Sequence, residues 1–183
     1  SLGVRLRIIS PTGRLVTETT AKAKRITASR TQEFQLPEIE IPSPQLWDVD
    51  HPNLYTAVVS LLREDGTVAD EVSSTFGVRT IEMAPDYGLK LNGKKVLLKG
   101  IANHHSLGAL GAAAYPRAIE KRLKLMKQFD INHIRTSHNP YSREFIELCD
   151  KYGILVVDEL YDKWTRQYTG GRVPFEQLWQ SDV

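Results

Sequence analysis

"PRAIEKRLKLMKQFDINHIRTSHNPYSREFIELCDKYGILVVDE", residues 116–159, decides the fold. Pro116 suits a first helical turn, where a missing N–H is harmless, and Ile119, Leu123 and Met126 then recur at helical spacing. An apolar strand, Ile131 to Arg135, follows at once. Beyond it Ser142 offers an N-cap, Phe145, Leu148, Cys149 and Tyr152 make a second apolar stripe, and Gly153 supplies a stop. "ILVVDE" at 154–159 opens apolar throughout, as a strand of a parallel sheet covered on both faces does. With the apolar run "VLLKGI" at 96–101 ahead of the first helix, the order is strand, helix, strand, helix, strand, the βαβ pattern.

Upstream the texture changes. "VRLRII" carries Val4, Leu6 and Ile8 on one face, and "YTAVVSLL" and "TFGVRTI" alternate similarly, which reads as strands. The turn signals "SPTG" at 10–13, "DVDHPN" at 48–53 and "EDG" at 64–66 divide them at spacings that suit an antiparallel sandwich of six or seven strands between Val4 and Glu82. "MAPDYG" at 83–88 breaks this pattern. In "LKLNGKKVLLKG" the pair Asn92-Gly93 between alternating residues is a strong hairpin signal. Two domains are therefore expected, a sandwich over 1–84 and an α/β domain over 85–183.

Composition narrows the function. Lys+Arg 24 against Asp+Glu 22 gives a net charge of +2 in 183 residues, so no basic field points to nucleic acid. No run of about 18 apolar residues suggests a membrane span, and "SLGVRLRIIS" lacks the apolar centre of an export signal. Cys149 is the one cysteine, so an internal disulfide is impossible and the compartment, periplasmic or cytoplasmic, stays open. Polar residues gather after each strand of the second half: Asn103, His104 and His105 after the first, Arg135, His138 and Asn139 at the second, Asp158 and Glu159 after the third. Parallel α/β proteins put their sites at the carboxyl ends of strands, so these eight are the candidate site.

Taken in order, "LWDVDHPNLYTAVVSL", "FGVRTIE", "LNGKKVLLKGI", "HHSLGALGAA", "IRTSHNP", "ELCDKYGILVVDE" and "YDKW" resemble glycoside hydrolase family two, the β-galactosidase and β-glucuronidase family, over roughly residues 45–183. The resemblance implies an immunoglobulin-like β-sandwich followed by the first βα units of a (β/α)₈ TIM barrel. It implies a retaining glycosidase acting on β-galactosides or related β-glycosides; no cofactor is expected, and no metal either, because only one or two histidines can converge where zinc needs three or four ligands. It also implies that Arg135 and His138 line the sugar-binding mouth, joined by Asn103, His104 and His105. Ser106 stands where similar sequences carry Asp, which leaves the preferred sugar open.

The family places its acid/base in an Asn-Glu pair, and no such dipeptide occurs here. A whole barrel takes about 250 residues, so 85–183 leave room for about three of its strands, and this chain alone is expected to be inactive. Asp158 and Glu159 are adjacent on a strand, so they should point to opposite faces and serve as supports. Arg135 paired with Glu159 is an equally simple structural reading. One of His104 and His105 is expected to face the site and the other to pack. His51 and His133 read as structural, Cys149 as a buried inert thiol, and Trp47 as sandwich packing. The small residues of "GALGAAA" at 108–114 are expected to let a loop pass close to a neighbour. Two rival functions stand beside the glycosidase: a metal-dependent barrel hydrolase with His104 or His105, His138 and Asp158 as ligands, and a non-catalytic carbohydrate-binding or scaffold module. Self-association through the partial barrel is expected as well, including exchange of the tail that carries Trp164, Phe175, Leu178 and Trp179.

Overall fold

A computed structural model describes residues 1–25, 27 and 31–160. "YDKW" and the tail aromatics Trp164, Phe175 and Trp179, with Leu178, lie outside the described residues. The chain divides into two units, Ser1–Leu97 and Leu98–Val183.

In the first unit β1 (Leu2–Ile9), β2 (Leu15–Lys24), β3 (Tyr55–Arg63) and β4 (Val68–Phe76) form one antiparallel sheet in the order β2-β1-β3-β4. The expected turns close it: the Gly13 N–H donates to the Ser10 carbonyl between β1 and β2, and the Gly66 N–H to the Arg63 carbonyl between β3 and β4. Three short strands, β5 (Ile81–Ala84), β6 (Gly88–Leu91) and β7 (Lys94–Lys95), make a second antiparallel sheet. Among the described residues five strands begin between positions 2 and 82, fewer than the six or seven expected. Residues 31–46 carry two short apolar pairs, Phe34 with Leu36 and Ile39 with Ile41, out of phase with each other, and they form no strand. Pro37, Pro42 and Pro44 each remove a donor from any ladder there.

Trp47 organises this unit. It is 1% exposed, and the Arg79 guanidinium lies 4.4 Å from the centre of its ring. Its N–H donates to the Val78 carbonyl, and its carbonyl accepts from the Asn92 side-chain amide at 3.0 Å. Gly77 is required beside it, because a Cβ there would stand 2.8 Å from the Trp47 Cβ. Asn92 and Gly93 take φ of 53° and 75°, the left-handed pair that a tight hairpin needs. The hairpin that the sequence reading assigned to the second domain is thus fastened to the first unit through Asn92, which also accepts from the Thr80 N–H.

The second unit is a βαβαβ run. β8 (Gly100–Asn103), β9 (His133–Thr136) and β10 (Leu155–Val157) form a parallel sheet in the order β10-β9-β8. The two crossovers carry α1 (Pro116–Gln128) and α2 (Arg143–Tyr152). β8 begins four residues later than the apolar run at 96–101 suggested. The Val96 N–H still serves the hairpin through the Leu89 carbonyl, and Leu97 is 71% exposed. Gly100 sits against His133, whose Nδ1 would be 2.2 Å from any Cβ added at 100.

Register sorts the side chains. Ile101, Ile134 and Val156 are aligned, as are Ala102, Arg135 and Val157, with Asn103 opposite Thr136. The helix-covered side holds a core of Ile119, Leu123, Met126, Ile134, Phe145, Cys149 and Ile154. Burial pushes the Cys149 thiol up to about 12, which makes it the inert thiol expected. Ser142 caps α2 by accepting from the Phe145 N–H, and Gly153 ends it in the left-handed conformation. Tyr152 and Lys151 of α2 both donate to Glu120 of α1, chiefly the tyrosine hydroxyl, and hold that carboxyl at about 2. Among the described residues no helix is long and apolar enough to cross a membrane.

Candidate functional site

The polar residues at the carboxyl ends of β8, β9 and β10 fall into three groups. On one sheet face the Arg135 Nε donates to Glu159 Oε1 at 2.5 Å, and the His138 Nδ1 lies 3.2 Å from Glu159 Oε2. One carboxylate thus orients a guanidinium and an imidazole. The arginine's hydrogen bond is the main reason that the Glu159 carboxyl lies below the usual range. Arg135 and His138 are each about half exposed, and the contact engages only one of the five arginine N–H donors. The peptide between Ser137 and His138 is cis.

On the opposite face Thr136, fully buried, donates through its hydroxyl to Asp158 at 2.6 Å and accepts from the Glu159 N–H at 2.8 Å. Asp158 and Glu159 therefore do project to opposite sides: one anchors β10 to β9, and the other faces the arginine and histidine. These two carboxylates cannot act together on one bond.

The third group surrounds the turn after β8. Asn103 is 5% exposed, and its amide donates to the Tyr141 hydroxyl at 3.1 Å while that hydroxyl donates to the Asn103 backbone carbonyl. Burial raises the Tyr141 pKa, so the phenol stays a neutral donor. The Tyr141 ring lies 3.9 Å from the His105 ring and 4.6 Å from the Phe145 ring. The His105 Nε2 is 3.0 Å from the Asn139 side-chain oxygen. His104 turns the other way, its ring 5.3 Å from that of His138 in an edge contact. The structure brings together Arg135, His138, Glu159 and His104, and separately Asn103, His105 and Asn139, with Asp158 on the helix side.

Sequence reasoning missed Thr136 and Tyr141, and also Arg122, whose Nη1 donates to the Asn103 side-chain oxygen at 3.0 Å. Arg122 sits in the run "EKRLK", where nothing distinguishes it from neighbouring solvated cations, and Tyr141 reads as a loop aromatic after Pro140. Gly108 and Gly111, expected to allow a close approach, have no neighbour within 4 Å of an added Cβ. Their φ of 61° and 60° is the reason for glycine there. Among the described residues no three His, Cys, Asp or Glu side chains converge as metal ligands; in particular Asp158 lies across the sheet from His138.

Two family models match the chain: "Glycosyl hydrolases family 2" over residues 1–79 and "Glycosyl hydrolases family 2, TIM barrel domain" over residues 84–165. A β-galactosidase of Bacteroides ovatus is 40% identical over 132 residues, 72% of this chain and 15% of that protein. A protein of Formosa agariphila named as a putative β-glucuronidase is 38% identical over 149 residues, 80% of this chain and 14% of its own length. Among solved structures, a glycosyl hydrolase family 2 member from Bacteroides cellulosilyticus superimposes with a TM-score of 0.82 at 34% identity, covering 99% of this chain and 23% of that one. The β-glucuronidase of Parabacteroides merdae gives 0.77 at 28% identity, over 93% and 20%. The chain spans about one seventh of the curated relatives it matches.

Proposed function

Because this chain belongs to glycosyl hydrolase family 2, we propose that it supplies the sandwich and the opening βα units of an enzyme that hydrolyses β-linked glycosides, β-galactosides or β-glucuronides, with retention at the anomeric carbon. The ends of β8, β9 and β10 then form part of its sugar-binding mouth. One observation carries this reading: Glu159 holds Arg135 and His138 side by side on a half-exposed face, with His104 against His138. Fixed, solvent-reachable N–H donors beside a carboxylate are what hydroxyl groups of a sugar require. Asn103, His105 and Asn139 support the turn that brings His104 there, and Asp158 fastens the strand that bears Glu159.

Sugar should bind this chain weakly. Each hydrogen bond formed in an open, wet site nets about 0.5–1.5 kcal/mol, and a Kd of 1 mM already needs about 4.1 kcal/mol. Titrating methyl β-galactoside and β-glucuronide into the chain should shift the ring signals of His104 and His138 only above about 1 mM, leave His51 unmoved, and lose the effect in His138→Ala. Shifts spread over the surface, or none at any concentration, would remove the sugar reading. Self-association through the second unit belongs to the same proposal. The outer edges of β8 and β10 are unpaired among the described residues, and unpaired edges template pairing with another chain. Light scattering that returns a monomer mass at every concentration would exclude it.

A further inference from the structure

We propose that Arg122 is a positioning residue of this mouth: its guanidinium, reaching from α1, clamps residues 103–106 and so fixes the directions in which His104 and His105 project. The inference rests on the sugar-mouth reading for its purpose, though not for its geometry. Arg122 Nη1 donates to the Asn103 side-chain oxygen at 3.0 Å and to the His104 carbonyl at 3.4 Å, and Nη2 donates to the Ser106 carbonyl. Three of four consecutive residues are thereby held by one rigid fork. A lysine, with its donors on a single atom, cannot span such spread acceptors.

Core packing holds this turn at its ends, through the buried Asn103 and through Leu107 against the core, and leaves the residues between them exposed. A cavity of only about 60 Å³ lies beside the turn, lined in part by Leu107, Ala112, Ala114 and Arg122 itself, and His104, His105 and Ser106 are all exposed. The clamp reaches both histidines by different routes. His104 is held through its own carbonyl. For His105 the route runs through Asn103, whose amide, oriented by Arg122, donates to the Tyr141 hydroxyl, and the Tyr141 ring lies against His105.

The test is NMR of the histidine ring protons in the full 183-residue chain without sugar, so its outcome is independent of whether the mouth binds one. In the wild type the Tyr141 ring displaces the His105 signals by its ring current. In Arg122→Gln the signals of His104 and His105 should move toward random-coil positions, while those of His51 and His133 stay; Arg122→Lys should move them part of the way. Unchanged His104 and His105 signals in a folded Arg122→Gln protein would overturn the proposal. Should that variant unfold, with His133 moving too, Arg122→Lys decides. His104 and His105 moving while His133 stays supports the clamp, and no movement of any of them overturns it.

Discussion

An aryl β-galactoside or β-glucuronide incubated with this chain should release its aglycone no faster than in buffer. Retaining hydrolysis needs one carboxylic acid to protonate the leaving oxygen and a second carboxylate about 5 Å away as nucleophile. At the ends of β8, β9 and β10 the carboxyls are Asp158 and Glu159, and they lie on opposite faces of the sheet. Neither suits the general acid's role, and without a partner on the same face neither can complete the pair. Asp158 is engaged by the Thr136 hydroxyl, and Glu159 is held below the usual carboxylate range by Arg135, which disfavours the protonated form that a general acid must start from. General acid catalysis alone contributes about 10²- to 10⁴-fold, and covalent catalysis would be missing as well. The assay should run at high protein concentration with Glu159→Gln as control. Turnover above buffer that this substitution abolishes would show Glu159 to be a catalytic residue.

Replacing Trp47 by Ala should destabilise the first unit by about 3–5 kcal/mol, the usual cost of emptying a buried aromatic site. The side chain is 1% exposed, so its whole surface is returned to solvent or to a cavity. Collapse around the gap is hindered. Gly77 already touches the Trp47 Cβ, the Asn92 amide holds the backbone from the other side, and the Arg79 guanidinium would lose the ring it stacks on. A domain is stable by only about 5–15 kcal/mol, so the loss is a large share. Urea unfolding followed by backbone circular dichroism measures it, with the His105 ring signals reporting that the second unit remains folded. A loss under about 1 kcal/mol, ordinary for a surface change, would mean that Trp47 is not the centre of this unit.

Much of this architecture is legible in the chain because local rules and tertiary demands coincide. Asn92-Gly93, the Ser142 cap, the Gly153 stop and the Ile119, Leu123, Met126 stripe each have a short-range physical signature, and each appears in the structure. The matches to both family models and to the solved structures bear out the sandwich-and-barrel class and the family. What was not legible is what depends on partners far along the chain. The apolar run at 96–101 becomes strand only at its end, once Lys99 exchanges hydrogen bonds with Asn132. The site divides in the same way. That polar residues collect at three strand ends follows from sequence order, whereas the roles of Thr136, Tyr141 and Arg122 arise only when β9, the loop after it and α1 converge on one turn.

Cys149 makes the second unit its own timekeeper. It is the chain's single cysteine, seated 1% exposed between α2 and the sheet, with a thiol that ionises only near 12. Disulfide reagents consume thiolate, so labelling must wait for α2 to lift away and for water to reach the sulfur. The pace at which such a reagent is consumed in native buffer therefore reads how often α2 and the sheet beneath it breathe open.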